Sequence, residues 1–305
     1  MITFRSLGRK GNLGNQLFQL ASTIGIAKKS GHDFVFPYWE FARFFSFNFP
    51  MTQQKSLTHF KQFVEKKYGF HEWLLDEGDY DVNGALQSEK YFDIEFTRKI
   101  FAFKPSFVIP LLRKHEYLFE KKPIFISVRR GDFVYHPNYY QLPYKYYFLA
   151  LTQNFDDWEE RNLVFMSDDI DYCKFHFGFL KNAIFIEKLS AIEQLAIGSQ
   201  GKDLIISNST FSWWMAWLSE KDESKIVRPI KNFRGEFAIE NVDSDFFPSR
   251  WRVFDFRNKR IELKYFGLIL KGSIYQIFNY FNYLTKKANF LFKKIKLKIV
   301  KVFQK

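Results

Sequence analysis

Apolar residues at the start of the chain follow two different periods. Residues 2–7 form a short, mostly apolar run that predicts a buried strand. Helical spacing follows, and Gly31 stands where such a helix would end; the apolar positions are Leu13, Leu17, Leu20, Ala21 and Ile24. Residues 34–37 predict the next strand. A strand–helix–strand opening favours a parallel sheet covered by helices.

A similar alternation of apolar runs and helical patterns returns after residue 123, whereas residues 40–120 give no clear boundaries. Strands are predicted at residues 124–128, 163–166, 183–186, 204–207 and 226–228, and helices at about 143–153, 191–199 and 211–220. Ser190 and Glu193 have the spacing of a capping box at a helix start. We therefore expect two α/β lobes, residues 1–120 and 121–262, and a tail of residues 263–305.

Charge separates this tail from the body. The chain has 305 residues, of which 47% are hydrophobic and 26% charged, an ordinary globular composition. Its formal net charge is +13, and residues 263–305 contribute ten Lys, no Arg and no acid. The body is therefore nearly neutral. This distribution argues against a basic nucleic-acid-binding face on the folded body.

Cysteine content and hydropathy bear on the compartment. Cys173 is the only cysteine, which excludes an intrachain disulfide and a cysteine-based zinc site and favours a reducing compartment. Residues 1–7 lack the apolar core of an export signal, and polar residues interrupt the best apolar window, residues 266–284. We expect a cytoplasmic protein.

Polar groups follow four of the apolar runs, and ligands bind at the carboxyl ends of strands in open α/β sheets. The first such segment has Gly8, Gly11 and Gly14 before a helix, which allows a ligand close to the backbone or serves only as a turn. Its spacing matches neither the dinucleotide fingerprint nor the P-loop. The second contains Arg129 and Arg130, whose guanidinium groups match phosphate oxygens, although a surface Arg–Asp pair is the alternative.

The third segment carries Asp168 and Asp169, which could cap a helix, bind a metal or accept hydrogen bonds from a nucleoside. No further ligands lie nearby in the sequence, so we expect no metal site. In the fourth segment, Asn208, Ser209 and Thr210 precede a helix. Hydroxyls and free backbone N–H groups there would form a phosphate cradle. The tryptophans that follow, Trp213, Trp214 and Trp217, are expected in the core.

These four segments, residues 14–19 (GNQLFQ), 128–132 (VRRGD), 165–170 (FMSDDI) and 207–214 (SNSTFSWW), resemble the α-1,2-fucosyltransferases of glycosyltransferase family 11 and occur in the same order. The resemblance implies a GT-B-like fold with two Rossmann-like lobes and a cleft between them. It also implies GDP-fucose as donor, inversion at the sugar carbon, and neither a metal nor another cofactor. The chain departs from the family pattern at Ser127, Met215 and residues 201–203, where the family usually has His, Gly and Cys-Lys-His.

The resemblance assigns roles to donor-binding residues. Arg129 would contact the phosphates, with Arg130 as a second contact or as a partner of Asp132. The β-phosphate would lie against the Ser209 and Thr210 hydroxyls and the Phe211 backbone, next to Asn208. Asp168 and Asp169 would lie near the nucleoside, and the N-terminal lobe would present Gly14, Asn15 and Gln16 to fucose.

The implied reaction is transfer of fucose to O2 of a terminal β-galactoside, with Asp132 as candidate general base or, alternatively, as a partner of the arginines. Two other functions stay open: a GT-B transferase for another sugar nucleotide or acceptor, and a nucleic-acid-binding protein that uses the tail. As a helix, the tail would have a mixed cationic and apolar surface, suited to bind an anionic membrane. This would fit a lipid-linked acceptor at the inner, cytoplasmic face of that membrane. The alternative is a tail packed on the body. All four segments precede residue 220, so we expect turnover without the tail.

Overall fold

The computed structural model describes residues 1–73 and 75–303, with side chains described through residue 285 and at residue 288. The N-terminal part contains two small parallel sheets. β1 (Ile2–Thr3), β5 (Tyr80–Asn83) and β4 (Lys61–Val64) form a three-stranded sheet in that order, and β2 (Phe36–Pro37) pairs with β3 (Met51–Thr52). Three helices accompany them: α1 (Leu13–Lys29), α2 (Ile94–Ile100) and α3 (Pro105–Lys114).

Two of the predicted N-terminal strands are shorter than the sequence indicates. The expected strand at residues 2–7 ends at Thr3, because the backbone N–H of Arg5 donates to the Asp81 side chain (2.8 Å) instead of continuing the ladder. Of residues 34–37, only Phe36–Pro37 form a strand, β2, which pairs with β3. Phe34 makes an isolated parallel bridge to Ile2.

The second part of the chain forms a parallel sheet of six strands: β6 (Ile124–Val128), β7 (Leu163–Ser167), β8 (Ala183–Phe185), β9 (Asp203–Ile206), β10 (Lys225–Pro229) and β11 (Arg252–Phe254). The strand order is β11-β10-β9-β6-β7-β8. The intervening helices are α4 (Tyr144–Asn154), α5 (Ile170–Phe177), α6 (Ala191–Gly198), α7 (Thr210–Ser219) and α8 (Gly235–Glu240). The five predicted strands and three predicted helices are confirmed to within about two residues, as is the α/β class. The short elements α5, α8 and β11 were not predicted.

The strand register decides where the site forms. β6 lies between β9 and β7, with Ser127 paired to Ile206 and Val128 paired to Ser167. The three strands therefore end at one level. The segments that follow them, which carry three of the four candidate motifs, meet at this edge.

Two hydrophobic clusters cover the two faces of the six-stranded sheet. One includes Phe125 of the sheet together with Phe18 of α1 and Trp213 of α7, and it continues through the N-terminal part. The other includes Ile126 and the helices α4 and α5. Alternate residues of β6 thus serve opposite faces, as expected for a strand covered on both sides. Trp213, Trp214 and Trp217 are fully buried in the first cluster, which confirms the prediction.

Met215 fills space that a glycine leaves open. A Cβ added to Gly198 of α6 would lie 2.5 Å from the Met215 sulfur and 2.6 Å from its Cγ, so α6 and α7 approach closely at this point. The capping box predicted at the start of α6 is present, with both reciprocal bonds between Ser190 and Glu193.

The tail begins with a helix, α9 (Phe266–Phe303), that docks against the six-stranded half. Leu268 is buried, and Gly272 lies against the Tyr144 ring so closely that no Cβ would fit. Tyr275 contacts Tyr172 and His176 of α5, with ring centroids 5.2 and 5.0 Å apart. Among the described residues, no helix combines the length and the apolarity needed to cross a bilayer.

Candidate functional site

A cleft of about 920 Å³ lies where β6, β7 and β9 end. Its walls come from the N-terminal glycine loop and α1, from the loops after the three strands, and from the segment around α8. Ten of the twelve residues predicted for the site line it: Gly14, Asn15, Gln16, Arg129, Asp132, Asp168, Asn208, Ser209, Thr210 and Phe211. The structure thus brings residues far apart in the sequence to one cavity.

Arg129 lies between two carboxylates at the end of β6. Its guanidinium contacts Asp132 at 2.5 Å and Asp168 at 3.1 Å, and its side chain is 23% exposed. The Nε atom has no hydrogen-bond partner within the described part of the chain. A cation held in place at the cleft wall is suited to bind an anionic ligand.

Asp168 shapes the loop that carries Arg129. One of its oxygens accepts from the backbone N–H of Arg130 (2.8 Å), and the other lies under Gly131, where no Cβ would fit. Gly131 has φ +22°. Asp168 therefore orders the arginine loop as well as facing the cleft, which favours a positioning role.

Asp169 caps the start of α5, as the helix-capping alternative from the sequence has it. Its carboxylate accepts from the Tyr172 N–H (3.1 Å) at the start of α5, and its own N–H donates to the Ser167 hydroxyl (3.0 Å). It does not line the cleft.

Arg130 points to a different part of the molecule. Its guanidinium lies over the Tyr172 ring (4.0 Å) and near that of Tyr275 (5.8 Å), and it lines a second cavity of about 940 Å³ beneath α9. Its nearest carboxylate is that of Asp169, with 3.8 Å from Nε to Oδ2. The structure does not bring Arg130 and Asp132 together, the second of the two alternatives for Arg130, because Asp132 pairs with Arg129.

Four buried hydroxyls form a network below the start of α7. Ser212 contacts Ser127 and Ser207 at 2.7 Å and Ser209 at 2.9 Å. Ser209 also caps the helix by accepting from the Ser212 N–H (3.1 Å). Ser127, at the end of β6, is thus part of this network. The backbone at Thr210 and Phe211 and the Thr210 hydroxyl are the groups at this helix start best placed for an anion.

Asn208 holds two loops together at the edge of the cleft. Its amide donates to the carbonyl oxygens of Asn232 (2.8 Å) and Tyr140 (3.2 Å). On the opposite wall, the buried Gln16 donates to the Gly11 carbonyl (2.9 Å) and accepts from the Trp39 indole (2.8 Å). Both amides therefore support the shape of the cleft.

Asn15 and Gly14 lie where the two halves of the chain meet. Asn15 accepts from the Gln87 amide (3.0 Å) and lies under Gly11, whose φ is +77°. A Cβ at Gly14 would lie 2.5 Å from the carbonyl carbon of Thr210 and 2.7 Å from its hydroxyl oxygen. Helices α1 and α7 therefore touch through a glycine at the base of the cleft.

Sequence reasoning missed an aromatic wall, formed by Phe41, Tyr68, Phe133, Tyr139, Phe233 and Phe237. The Phe133 and Tyr139 rings are stacked 4.2 Å apart, and Tyr68 packs edge-on against Phe233. Burial raises the pKa of the Tyr68 hydroxyl well above its usual value. The many aromatic residues elsewhere in the chain gave no signal that would single these out.

The described residues contain no group of three or more His, Cys, Asp or Glu side chains arranged to hold a metal ion. Arg129 and the partial positive charge of the α7 start lie in the cleft beside the carboxylates of Asp132 and Asp168.

Comparison with known proteins agrees with the expected family over part of the chain. The model of glycosyl transferase family 11 matches residues 118–252, which include β6 to β10 and three of the four motif segments. The O-antigen biosynthesis glycosyltransferase WbnK of Escherichia coli is 32% identical over 118 residues, 36% of this chain and 39% of that protein. An Escherichia coli alpha-1,2-colitosyltransferase is 29% identical over 190 residues, 57% of this chain and 62% of that protein.

The matched regions span less than two thirds of either relative. A solved structure, the fucosyltransferase NodZ from Bradyrhizobium, aligns over 72% of this chain and 95% of its own, with 14% identity and a TM-score of 0.47. Residues 118–252 are thus similar to family 11 glycosyltransferases.

Proposed function

We propose that the protein is an inverting, metal-independent glycosyltransferase that transfers L-fucose from GDP-β-L-fucose to O2 of a terminal β-galactoside. One observation carries the proposal: the cleft brings Arg129 and the start of α7 together at the ends of adjacent strands. The guanidinium and the helix start would stabilise a departing diphosphate once Arg129 exchanges a carboxylate contact for phosphate oxygens.

In this reaction the acceptor O2 attacks C1 of fucose, the bond from C1 to the β-phosphate oxygen breaks, and GDP leaves. Negative charge grows on the diphosphate, so groups that stabilise it lower the barrier. Arg129 and the backbone of Thr210 and Phe211 are assigned this role. Asp168 would hold the arginine loop, with the nucleoside contact predicted from the sequence as a further role.

Asp132 is assigned as the general base. Its carboxylate is 66% exposed in the cleft and contacts Arg129. When the arginine turns to a phosphate, the carboxylate becomes free to accept the acceptor's proton. Geometry of this kind is the first requirement for a base.

Arg130 and Asp169, predicted as donor contacts, are assigned a supporting role because both lie outside the cleft. The aromatic wall is a surface on which an acceptor sugar ring can pack. The acceptor is proposed to be a galactose-terminated glycan, in the lipid-linked form if the enzyme works at a membrane.

The similarity to a colitosyltransferase favours a second candidate donor, a nucleotide-linked colitose. The test is to incubate the protein with GDP-fucose or nucleotide-linked colitose and a panel of galactosides, and to determine the product linkage by NMR. We expect an α-1,2-linked fucoside. If product forms only with nucleotide-linked colitose, colitose is the donor sugar in place of fucose. If no sugar is transferred from any sugar nucleotide, the proposal is overturned.

A further inference from the structure

The helix α9 has two faces with different surroundings. The face toward the body carries Leu268, Gly272 and Tyr275, which contact α4 and α5. The rest of the helix carries apolar side chains that are between 41% and 66% exposed: Phe266, Leu270, Ile274, Ile277, Phe278, Phe281 and Leu284. Their spacing of three or four residues places them along one stripe of the helix. Two of them, Ile277 and Phe281, also line the rim of the cavity beneath α9.

The sequence continues this spacing to the end of the described helix. Phe292, Ile295, Ile299 and Val302 follow at the same intervals, and seven of the ten tail lysines lie between residues 286 and 301. The tail therefore combines exposed apolar side chains on the described part of α9 with a strongly positive charge in its sequence.

We propose that this outward stripe of α9 binds the surface of an anionic lipid bilayer. The inner face holds the helix to the body, so the outer side chains can enter the interface while the lysines contact lipid phosphates. A helix of this kind would lie in the plane of the membrane, with its apolar side chains at the boundary between headgroups and acyl chains.

Charge argues against a second copy of this chain as the occupant of the stripe. Two such tails would bring twenty lysines together with no acid in either tail to offset them. An anionic bilayer offers the complementary charge, with attraction that weakens as salt rises.

The first test compares the full-length protein with two triple variants in co-sedimentation with vesicles. Leu270→Ser, Ile274→Ser and Phe278→Ser remove part of the stripe and leave the residues that line the cavity beneath α9 unchanged. Ile94→Ser, Ile109→Ser and Val253→Ser remove similarly exposed apolar residues elsewhere. With vesicles of equal phosphatidylglycerol and phosphatidylcholine, we expect binding to fall at least tenfold for the stripe variant and to be unchanged for the control.

Binding of the wild type should also fall in high salt and on pure phosphatidylcholine. Equal binding by the wild type and the stripe variant would overturn the proposal. So would a dimer in lipid-free solution that the stripe variant abolishes, because the second copy would then be the occupant.

A spin label gives a readout that does not depend on the triple variant. The only native cysteine, Cys173, is fully buried, so a nitroxide can be attached selectively at Ile277→Cys or, as control, Val253→Cys. On anionic vesicles, we expect the label at position 277 to gain access to oxygen and lose access to a nickel complex. An unchanged label at position 277 would contradict the proposal.

Discussion

Gly14 of α1 rests against Thr210 at the start of α7, where a Cβ would lie 2.5 Å from the Thr210 carbonyl carbon. The contact joins the N-terminal part of the chain to the six-stranded half at the base of the cleft. A wider separation of the two helices would move the helix start that is proposed to bind phosphate. The glycine is needed for close approach, because its φ is not in the left-handed region.

Gly14→Ala should therefore destabilise the fold and lower activity. The neighbours are backbone atoms that cannot turn aside, and overpacking of this kind costs about 1–3 kcal/mol. Urea unfolding measures the loss. The matched control is Gly267→Ala in α9, where nothing lies within 4 Å of the added Cβ and a helical alanine adds up to about 1 kcal/mol. Equal stability of Gly14→Ala and wild type would refute this packing argument.

Arg129→Ala should lower kcat/KM for GDP-fucose at least tenfold, equivalent to about 1.4 kcal/mol or more of transition-state stabilisation. Arg129→Lys should restore little, because an ammonium cannot contact two oxygens in a fork. Circular dichroism and thermal unfolding serve as controls, and we expect the fold to survive. Activity above a tenth of the wild-type value in Arg129→Ala would remove this residue from the proposed phosphate site.

Turnover should survive chelation. The proposed charge stabilisation uses Arg129 and the α7 start, so dialysis against EDTA should change the initial rate by less than about twofold. The measurement is GDP release with and without added Mn²⁺ or Mg²⁺. A rate that falls in EDTA and returns with either ion would point to metal-dependent transfer through Asp168.

Removal of the tail should impair turnover, contrary to the expectation from motif positions alone. Tyr275 of α9 packs near the guanidinium of Arg130, which is adjacent to Arg129. We expect Tyr275→Ala to lower kcat/KM on a soluble galactoside about tenfold. Tyr275→Phe keeps the ring and loses only a 3.5 Å hydrogen bond, so it should stay within about twofold.

Truncation after Arg260 should resemble Tyr275→Ala. Hydrogen exchange of the amides in residues 129–135 gives a readout that does not depend on the donor, and we expect faster exchange in both variants. If exchange and activity match the wild type, α9 does not support the arginine loop.

His176 should make stability depend on pH. Burial, with a smaller effect from the positive charges of Arg130 and Lys271, lowers the pKa of His176 to about 4 from 6.5. The ring lies among Tyr144, Tyr172 and Tyr275. The contribution of the neutral His176 ring to the free energy of unfolding is fully present above pH 6.5 and is lost as the pH falls toward 4. The reason is that His176 takes up a proton at a higher pH in the unfolded chain than in the folded protein.

The loss should amount to about 2–3 kcal/mol between these pH values. Urea unfolding of the wild type and of His176→Phe at pH 7 and pH 4.5 tests this, and the variant should lose less stability on acidification. His59→Phe is the control, because that side chain is 66% exposed. The same pH dependence in wild type and His176→Phe would exclude this residue as the source.

Regular periodicity explains which elements could be predicted. The strands β6, β7 and β9 are mostly apolar because both faces of their sheet are covered, and their ends were predicted closely. By contrast, β3 has only two residues and β11 is exposed at two of its three positions, so neither leaves an apolar pattern. Such elements depend on tertiary pairing.

The residues of the site could be predicted better than their contacts. Strand ends located Arg129, Asp168 and Thr210, but the direction of a side chain after a strand depends on its neighbours. Arg130 turns to Tyr172 and Tyr275, an attraction between a cation and aromatic rings that sequence spacing does not encode. The aromatic wall likewise comes from loops that only the fold brings together.

The hydrophobic cluster that runs from α1 into α7 and the six-stranded sheet has a consequence for protein engineering. An exchange of residues 1–120 for the corresponding part of another protein would separate α1 from α7. Phe18 of α1 packs on Trp213 of α7, and Gly14 rests against Thr210. A chimera joined near residue 120 would therefore lose these contacts. A chimera that folds would have to take α1 and α7 from the same parent protein.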